Sequence, residues 1–121
     1  MRLPDAGDIA LVEFDPVRGT EQGGTRPALI ISTRSMHEMT RRAIICPITR
    51  NTQPWPTKVF LPEGLAVEGA VLVDQVRSVD RNAHVLRTLG SVPQATLLSV
   101  RRKLAALTGI EFAAGTAPDK T

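Results

Sequence analysis

The chain has 121 residues, of which 42% are hydrophobic and 22% charged, and a formal net charge of +3. That length and balance are typical of one globular domain and exclude a largely disordered chain. No apolar run approaches the roughly 20 residues of a membrane-spanning helix, and the first residues do not form a secretory leader. The single cysteine, Cys46, excludes an internal disulfide and a cysteine-based zinc site. We therefore expect a cytoplasmic protein without membrane attachment, whose basic charge favours an anionic partner.

Six short apolar segments predict β-strands. In chain order they span residues 8–14, 26–32, 43–49, 58–64, 69–80 and 84–90. The first three are apolar enough to be covered on both faces. Pro27 is expected in the first residues of its strand, and Pro47 indicates an edge or a bulge, because proline cannot donate to a ladder. The polar segment 33–43 is either a short helical turn or a loop.

The period of the apolar residues changes near the end of the chain, where residues 91–109 predict an amphipathic helix. Its apolar stripe consists of Leu97, Val100, Leu104 and Leu107. Ser91 and Gln94 have the spacing of a capping box, and Pro93 falls in the first turn. Gly109 fits the position that ends a helix.

These elements together predict a mainly β protein with a helix packed on a small barrel or a strongly bent sheet. The alternation of strands and helices that builds parallel sheets is missing from the sequence. We expect a single domain over residues 1–112 and a disordered tail of small and polar residues over 113–121.

Polar side chains at strand ends are the candidates for a functional site, since the sequence contains none of the familiar catalytic motifs. They are Arg26, Thr49, Asp74, Gln75 and Arg77. A polar group in an apolar strand needs a partner, so a structural role stays open for each. Arg26 would then pair with Glu21 or Asp15, and Asp74 with Arg77.

The two histidines, His37 and His84, lie in polar segments. Unperturbed histidines are common on protein surfaces. We therefore expect both to be solvated and neither to act as a catalytic base.

Three blocks and the closing helix give the chain a family resemblance. They are "GDIALVEFDPVRGTEQGGTRPALIIS" (7–32), "CPIT" (46–49) and "LVDQVRSVD" (72–80). In order and spacing they resemble the MazF/PemK toxins of toxin–antitoxin systems. The resemblance implies an SH3-like small β-barrel with a C-terminal amphipathic α-helix, and a homodimer. It also implies a ribosome-independent, sequence-specific endoribonuclease for single-stranded RNA, neutralised by the C-terminal segment of an acidic, MazE-like antitoxin.

By the same resemblance, Arg26 and Thr49 align with an arginine and a threonine considered catalytic in many members. The implied reaction needs neither metal nor cofactor: the 2′-OH attacks the adjacent phosphorus and leaves a 2′,3′-cyclic phosphate and a 5′-OH. An arginine fork and a hydroxyl donor suit the charge that gathers on the non-bridging oxygens. Thr20 and Leu72 stand where some members carry a histidine and an arginine, so the groups that transfer protons stay open.

The remaining candidates would contact RNA. Glu21 and Gln22 lie in the glycine-rich loop, and loop residues 18–25 and 50–57 are expected to supply base preference. Asp74 either orients the loop or reads a base, and Gln75 and Arg77 are further candidates for the RNA groove. Trp55, between two prolines, either stacks on a base, packs on those prolines, or meets an antitoxin side chain.

Two functions of other classes stay open at this point. One is a non-catalytic SH3-like module that binds nucleic acid or an acidic peptide. The other is a protein that acts on DNA gyrase.

Overall fold

The structure, a computed structural model, describes residues 2–14 and 24–111. Seven strands, three helical segments and one 3-10 turn follow one another along these residues. They are β1 (Asp8–Phe14), β2 (Gly24–Ile30), α1 (Arg34–Met39), β3 (Arg42–Thr49), β4 (Lys58–Phe60), β5 (Ala70–Leu72), the turn Val73–Gln75, β6 (Arg77–Asp80), α2 (Arg81–His84), β7 (Val85–Ser91) and α3 (Gln94–Leu107). The predicted boundary at residue 112 lies at the edge of the described residues, so the domain limits and the tail stay predictions.

The strands form a bent antiparallel sheet. Five of them are joined in the order β6-β3-β2-β1-β7, and α2 connects the two outer members of this group. Beyond the contact with β6, β3 pairs with β5, and β5 pairs with β4. The strand order is open, but Ala66 in the segment after β4 approaches Gly90 of β7, where an added Cβ would meet the Ala66 Cβ at 3.2 Å. The predicted mainly β fold, barrel-like with a C-terminal helix, is confirmed.

Both faces of the central strands are buried, which explains their continuous apolar sequences. Successive side chains of a strand point to opposite faces. One set forms a buried cluster on one face, namely Ala10, Val12, Phe14, Ala28, Ile30, Ala43, Ile45 and Val79. The alternate set packs under β5 and α3, namely Ile9, Leu29, Ile31, Cys46, Ile48, Val71, Val73, Leu97 and Val100. Two buried layers therefore hold the ends of β2 and β3 in place.

Helix α3 covers the second layer with its first turns. Leu97 and Val100 are buried, and Leu104 packs against the same cluster, but Leu107 is 46% exposed, so the predicted stripe ends one turn early. The predicted capping box is wrong: Ser91 is the last residue of β7, and the helix starts after Pro93 without a side-chain cap. The predicted end is confirmed by Gly109, whose φ is +82°.

The predicted strand 69–80 is two strands. A 3-10 turn, Val73–Gln75, separates β5 from β6 and lets the chain pass from one β3 ladder to the other. Pro47 was expected at a sheet edge or a bulge, but it lies inside β3. It lies between Ile45, the last residue paired with β6, and Ile48, the first paired with β5, where the missing N–H is tolerated.

The polar segment before β3 contains a short helix, α1, which resolves the choice between a helical turn and a loop. No described helix is long and apolar enough to cross a membrane.

Candidate functional site

A surface groove of about 1240 Å³ lies at the ends of β2 and β3. Its described lining comes from three segments: Gly24, Thr25, Arg26 and Pro27; Ile48, Thr49, Arg50, Asn51 and Thr52; and Leu65, Ala66, Val67, Glu68 and Gly69, together with Leu89. The two residues predicted to be catalytic, Arg26 and Thr49, both belong to this lining.

Strand pairing places Arg26 and Thr49 near the same end of the β2–β3 ladder. In this ladder, Ala28 pairs with Pro47 and Leu29 with Cys46. Arg26 precedes Ala28 by two residues and Thr49 follows Pro47 by two, and both residues line the groove. Arg26 is exposed, and Pro27 behind it begins the burial of β2.

The hydroxyl of Thr49 is oriented by the chain that follows it. Its Oγ1 accepts a hydrogen bond from the backbone N–H of Asn51 at 3.1 Å. Because a hydroxyl has one proton and two lone pairs, this contact leaves the O–H of Thr49 able to donate. The loop is held in turn by Lys58, whose ammonium donates to the carbonyls of Asn51 and Gln53, each at 2.8 Å.

Close backbone packing fixes the other side of Thr49. Gly69 has φ +132°, and a Cβ there would stand 2.0 Å from the carbonyl oxygen of Thr49. Only glycine allows this approach. Thr49 pairs with the next residue, Ala70, in the β3–β5 ladder. The end of β3 is therefore held from both sides.

The remaining predicted site residues lie outside the lining of the groove. Asp74 and Gln75 were expected inside a strand, but both lie in the 3-10 turn. Asp74 is exposed there, and Gln75 is half-buried. Arg77 is half-buried in β6, with its guanidinium carbon 5.6 Å from the centre of the Phe14 ring. Trp55 is 63% exposed in the loop before β4. None of these four side chains lines the groove with Arg26 and Thr49.

Two predicted RNA-contacting residues, Glu21 and Gln22, lie outside the described residues, as does Thr20. Asp15, a possible ion-pair partner of Arg26, lies there as well. The predictions about them stay predictions.

The prediction of a solvated surface position is wrong for His37, which is 1% exposed. Its Nδ1 donates to the carbonyl of Pro4, and its Nε2 contacts the hydroxyl of Ser32, each at 2.7 Å. His84 is half-buried, and its Nδ1 lies 3.0 Å from the carbonyl oxygen of Glu13. Neither histidine lines the groove.

Burial makes Cys46 inert. Desolvation, with a smaller contribution from the negative charge of Asp74, raises the pKa of this thiol to about 12. The thiolate needed for nucleophilic or metal chemistry is therefore disfavoured. Among the residues that the structure describes, no three His, Cys, Asp or Glu side chains gather into a potential metal site.

Sequence reasoning missed the third wall of the groove, residues 65–69, and did not single out Arg50 or Asn51. The loop 50–57 was expected to read bases, and its first three residues do line the groove. Arg50 adds a second guanidinium beside Arg26. The signal for it was its position directly after Thr49.

Comparisons with known proteins identify the family of the chain. Residues 5–108 match the family model described as PemK-like, MazF-like toxin of type II toxin–antitoxin system. The endoribonuclease toxin MazF of Escherichia coli K12 is 34% identical over 107 residues, which cover 88% of this chain and 96% of that protein.

Solved structures show the same relation. The crystal structure of MazF (Form-I) from Deinococcus radiodurans has a TM-score of 0.85 and 38% identity, covering 91% of this chain and all of that one. The MazE–MazF crystal structure (Form-III) from the same organism gives 0.79 and 36%, with 91% and 100% covered. The chain therefore belongs to the PemK/MazF family, and it is a MazF-like endoribonuclease toxin of a type II toxin–antitoxin system.

Proposed function

We propose that the groove cleaves single-stranded RNA at specific sequences by attack of a 2′-OH on the adjacent phosphorus, without a metal ion or the ribosome. The observation that carries this proposal is that Arg26 and Thr49 lie just beyond the same end of the β2–β3 ladder and both line the groove.

Each of these two side chains has a distinct role in the proposed reaction. The attack gathers negative charge on the non-bridging oxygens of the phosphate. The guanidinium of Arg26 offers two parallel N–H donors and keeps its charge at any working pH. The hydroxyl of Thr49, already accepting from Asn51, donates its proton toward the same oxygens. Donors held in place before the reaction stabilise the transition state more than donors that must reorient.

The other candidates then contribute to binding. Arg50 attracts a neighbouring phosphate, and Trp55, exposed on the loop that starts in the groove, stacks on an unpaired base. Asp74, Gln75 and Arg77 would contact RNA only beyond this groove. Glu21 and Gln22, in the segment that joins β1 to β2, would contact bases or phosphates next to Arg26.

We further propose two protein partners. An acidic antitoxin segment would cover the groove, because Arg26 and Arg50 complement negative charge; the Deinococcus MazE–MazF structure supports such a partner. A second copy of the chain would form a homodimer, which the exposed apolar side chains of Leu98, Leu107 and Ile110 support. The proposed site of action is the cytoplasm.

The test uses a mixed-sequence single-stranded RNA incubated with the purified protein in EDTA. We expect defined cuts with 2′,3′-cyclic phosphate ends. Arg26→Ala should slow cleavage by about a hundredfold or more. The matched control, Arg102→Ala, removes an exposed arginine of α3 outside the groove and should leave the rate unchanged. Retarded but intact RNA would contradict the proposal in favour of a binding module.

A further inference from the structure

The groove lining contains one carboxylate among its described residues, that of Glu68. Cleavage by a 2′-OH requires a group that removes the hydroxyl proton, and a carboxylate can serve as such a base. Arg26 and Thr49 can stabilise charge, but neither is suited to accept this proton. The inference below rests on the proposed RNA cleavage.

Glu68 lines the same groove as Arg26 and Thr49. Thr49 pairs with Ala70 in the β3–β5 ladder, and Glu68 precedes Ala70 by two residues. The strand β5 pairs with β3 on the side opposite to β2, which carries Arg26, so Glu68 and Arg26 approach the groove from different walls. The groove volume of about 1240 Å³ is large enough for a phosphate and its ribose.

The position of Glu68 is also fixed by its neighbour. Gly69 packs so closely on the Thr49 carbonyl that no side chain fits between them, and its own carbonyl accepts from the N–H of Leu61 at 2.9 Å. Glu68 is exposed at its side chain but attached to an anchored backbone. Neither described histidine lines the groove, and none of the other described aspartates and glutamates does.

We propose that Glu68 is the general base of the cleavage. Its carboxylate takes the proton of the 2′-OH as the O2′–P bond forms and the P–O5′ bond breaks. The leaving 5′-oxygen keeps the bonding electron pair and takes a proton from a water molecule. The carboxyl group of Glu68 then returns its proton to the resulting hydroxide.

The experiment compares Glu68→Gln with Glu63→Gln, which alters an exposed carboxylate of the same loop outside the groove. Single-turnover rates are measured across pH 3–8 on an RNA with one cut site, and affinity is measured with the same oligonucleotide carrying 2′-deoxyribose at that site. Glu68→Gln should slow cleavage by about a hundredfold or more and flatten the acid limb of the pH–rate profile. Its affinity for the 2′-deoxy oligonucleotide should stay within a few-fold of wild type, and Glu63→Gln should match wild type throughout.

Three results would overturn the assignment: an unchanged rate in Glu68→Gln, a slower rate explained by lost affinity, or a slower rate with an unchanged acid limb. Thermal unfolding of the variants separates these from misfolding. If Glu68→Gln cuts normally while Arg26→Ala does not, the general base is another group and the proposed function stands. If the wild-type protein cuts no RNA at all, the proposed function fails, and this inference fails with it.

Discussion

Two groups of polar side chains differ in their surroundings: one is buried around His37, and the other lines the groove. Around His37, each ring nitrogen has a partner: the Pro4 carbonyl and the Ser32 hydroxyl. Ser32 in turn accepts from the N–H of Ile44 at 2.8 Å. Because a carbonyl only accepts, Nδ1 carries a proton, while Nε2 and the Ser32 hydroxyl share a second hydrogen bond. This buried group ties the start of the chain to α1 and β3.

In the groove, the polar side chains of Arg26, Thr49 and Arg50 line the surface. Thr49 uses one lone pair for Asn51 and keeps a proton to donate. Arg26 and Arg50 are exposed beside it. A polar cluster whose hydrogen bonds are completed inside the protein contributes to stability, whereas the proposed chemistry of the groove depends on the O–H that Thr49 can donate. The comparison predicts that mutations in the two clusters will affect different quantities.

The largest expected effect is on the rate of RNA cleavage and comes from Thr49→Val. This change removes the hydroxyl and preserves the branched shape, so cleavage should slow by about a hundredfold. The free energy of unfolding should fall by only about 1 kcal/mol, because one hydrogen bond, to Asn51, is lost. Single-turnover cleavage and urea unfolding measure the two quantities.

The control for this change is Thr88→Val, at an exposed threonine of β7 outside the groove. It should leave the cleavage rate at the wild-type value. Equal rates for Thr49→Val and wild type would remove Thr49 from the proposed mechanism.

The opposite pattern is expected for His37→Ala. It leaves a cavity and removes buried partners from Ser32 and Pro4, so the free energy of unfolding should fall by about 3 kcal/mol. The cleavage rate, measured well below the unfolding temperature, should not change, because His37 lies outside the groove. Urea unfolding checks the first expectation. Glu38→Ala, at the exposed neighbour on α1, is the control and should change neither quantity. A stable His37→Ala variant that no longer cuts RNA would break the distinction between the clusters.

The two clusters also differ in how far the sequence predicts them. The positions of Arg26 and Thr49 follow from recognisable blocks, and the strands that carry them are apolar on both faces, so their existence could be predicted. The partners of His37 could not, because Pro4 lies 33 residues away along the chain and is brought there only by the packing of the N-terminal segment. A histidine in a polar segment gives no local sign of such burial.

Other differences have the same origin in tertiary contacts. The 3-10 turn at Val73–Gln75 is surrounded by strand-forming residues, and it arises because β3 pairs with β6 over one half and β5 over the other. The groove wall formed by residues 65–69 also depends on a long-range contact, the pairing of Ala70 in β5 with Thr49 in β3. Local propensity describes strands and turns, but which ladder a strand joins depends on long-range pairing.

The smallest effect should come from Asp80→Asn, at the edge of the His37 cluster, where the next residue, Arg81, donates to the His37 carbonyl at 3.1 Å. Hydrogen bonds from the backbone N–H groups of Ala83 and Asn82, together with the charge of Arg41, hold the pKa of Asp80 below its ordinary value. A lowered folded-state pKa means that the ionised form stabilises the fold above the unfolded pKa of about 3.9. That contribution is lost as the pH falls through the folded value, so wild type should lose stability from about pH 5 downward more steeply than Asp80→Asn.

Urea midpoints between pH 7 and pH 3 measure this, with Glu38→Gln as the control. Asp80 caps the start of α2. Parallel plots of urea midpoint against pH for Asp80→Asn and wild type would show that this carboxylate makes no such contribution. A change in RNA cleavage at neutral pH would group Asp80 with the groove rather than with His37.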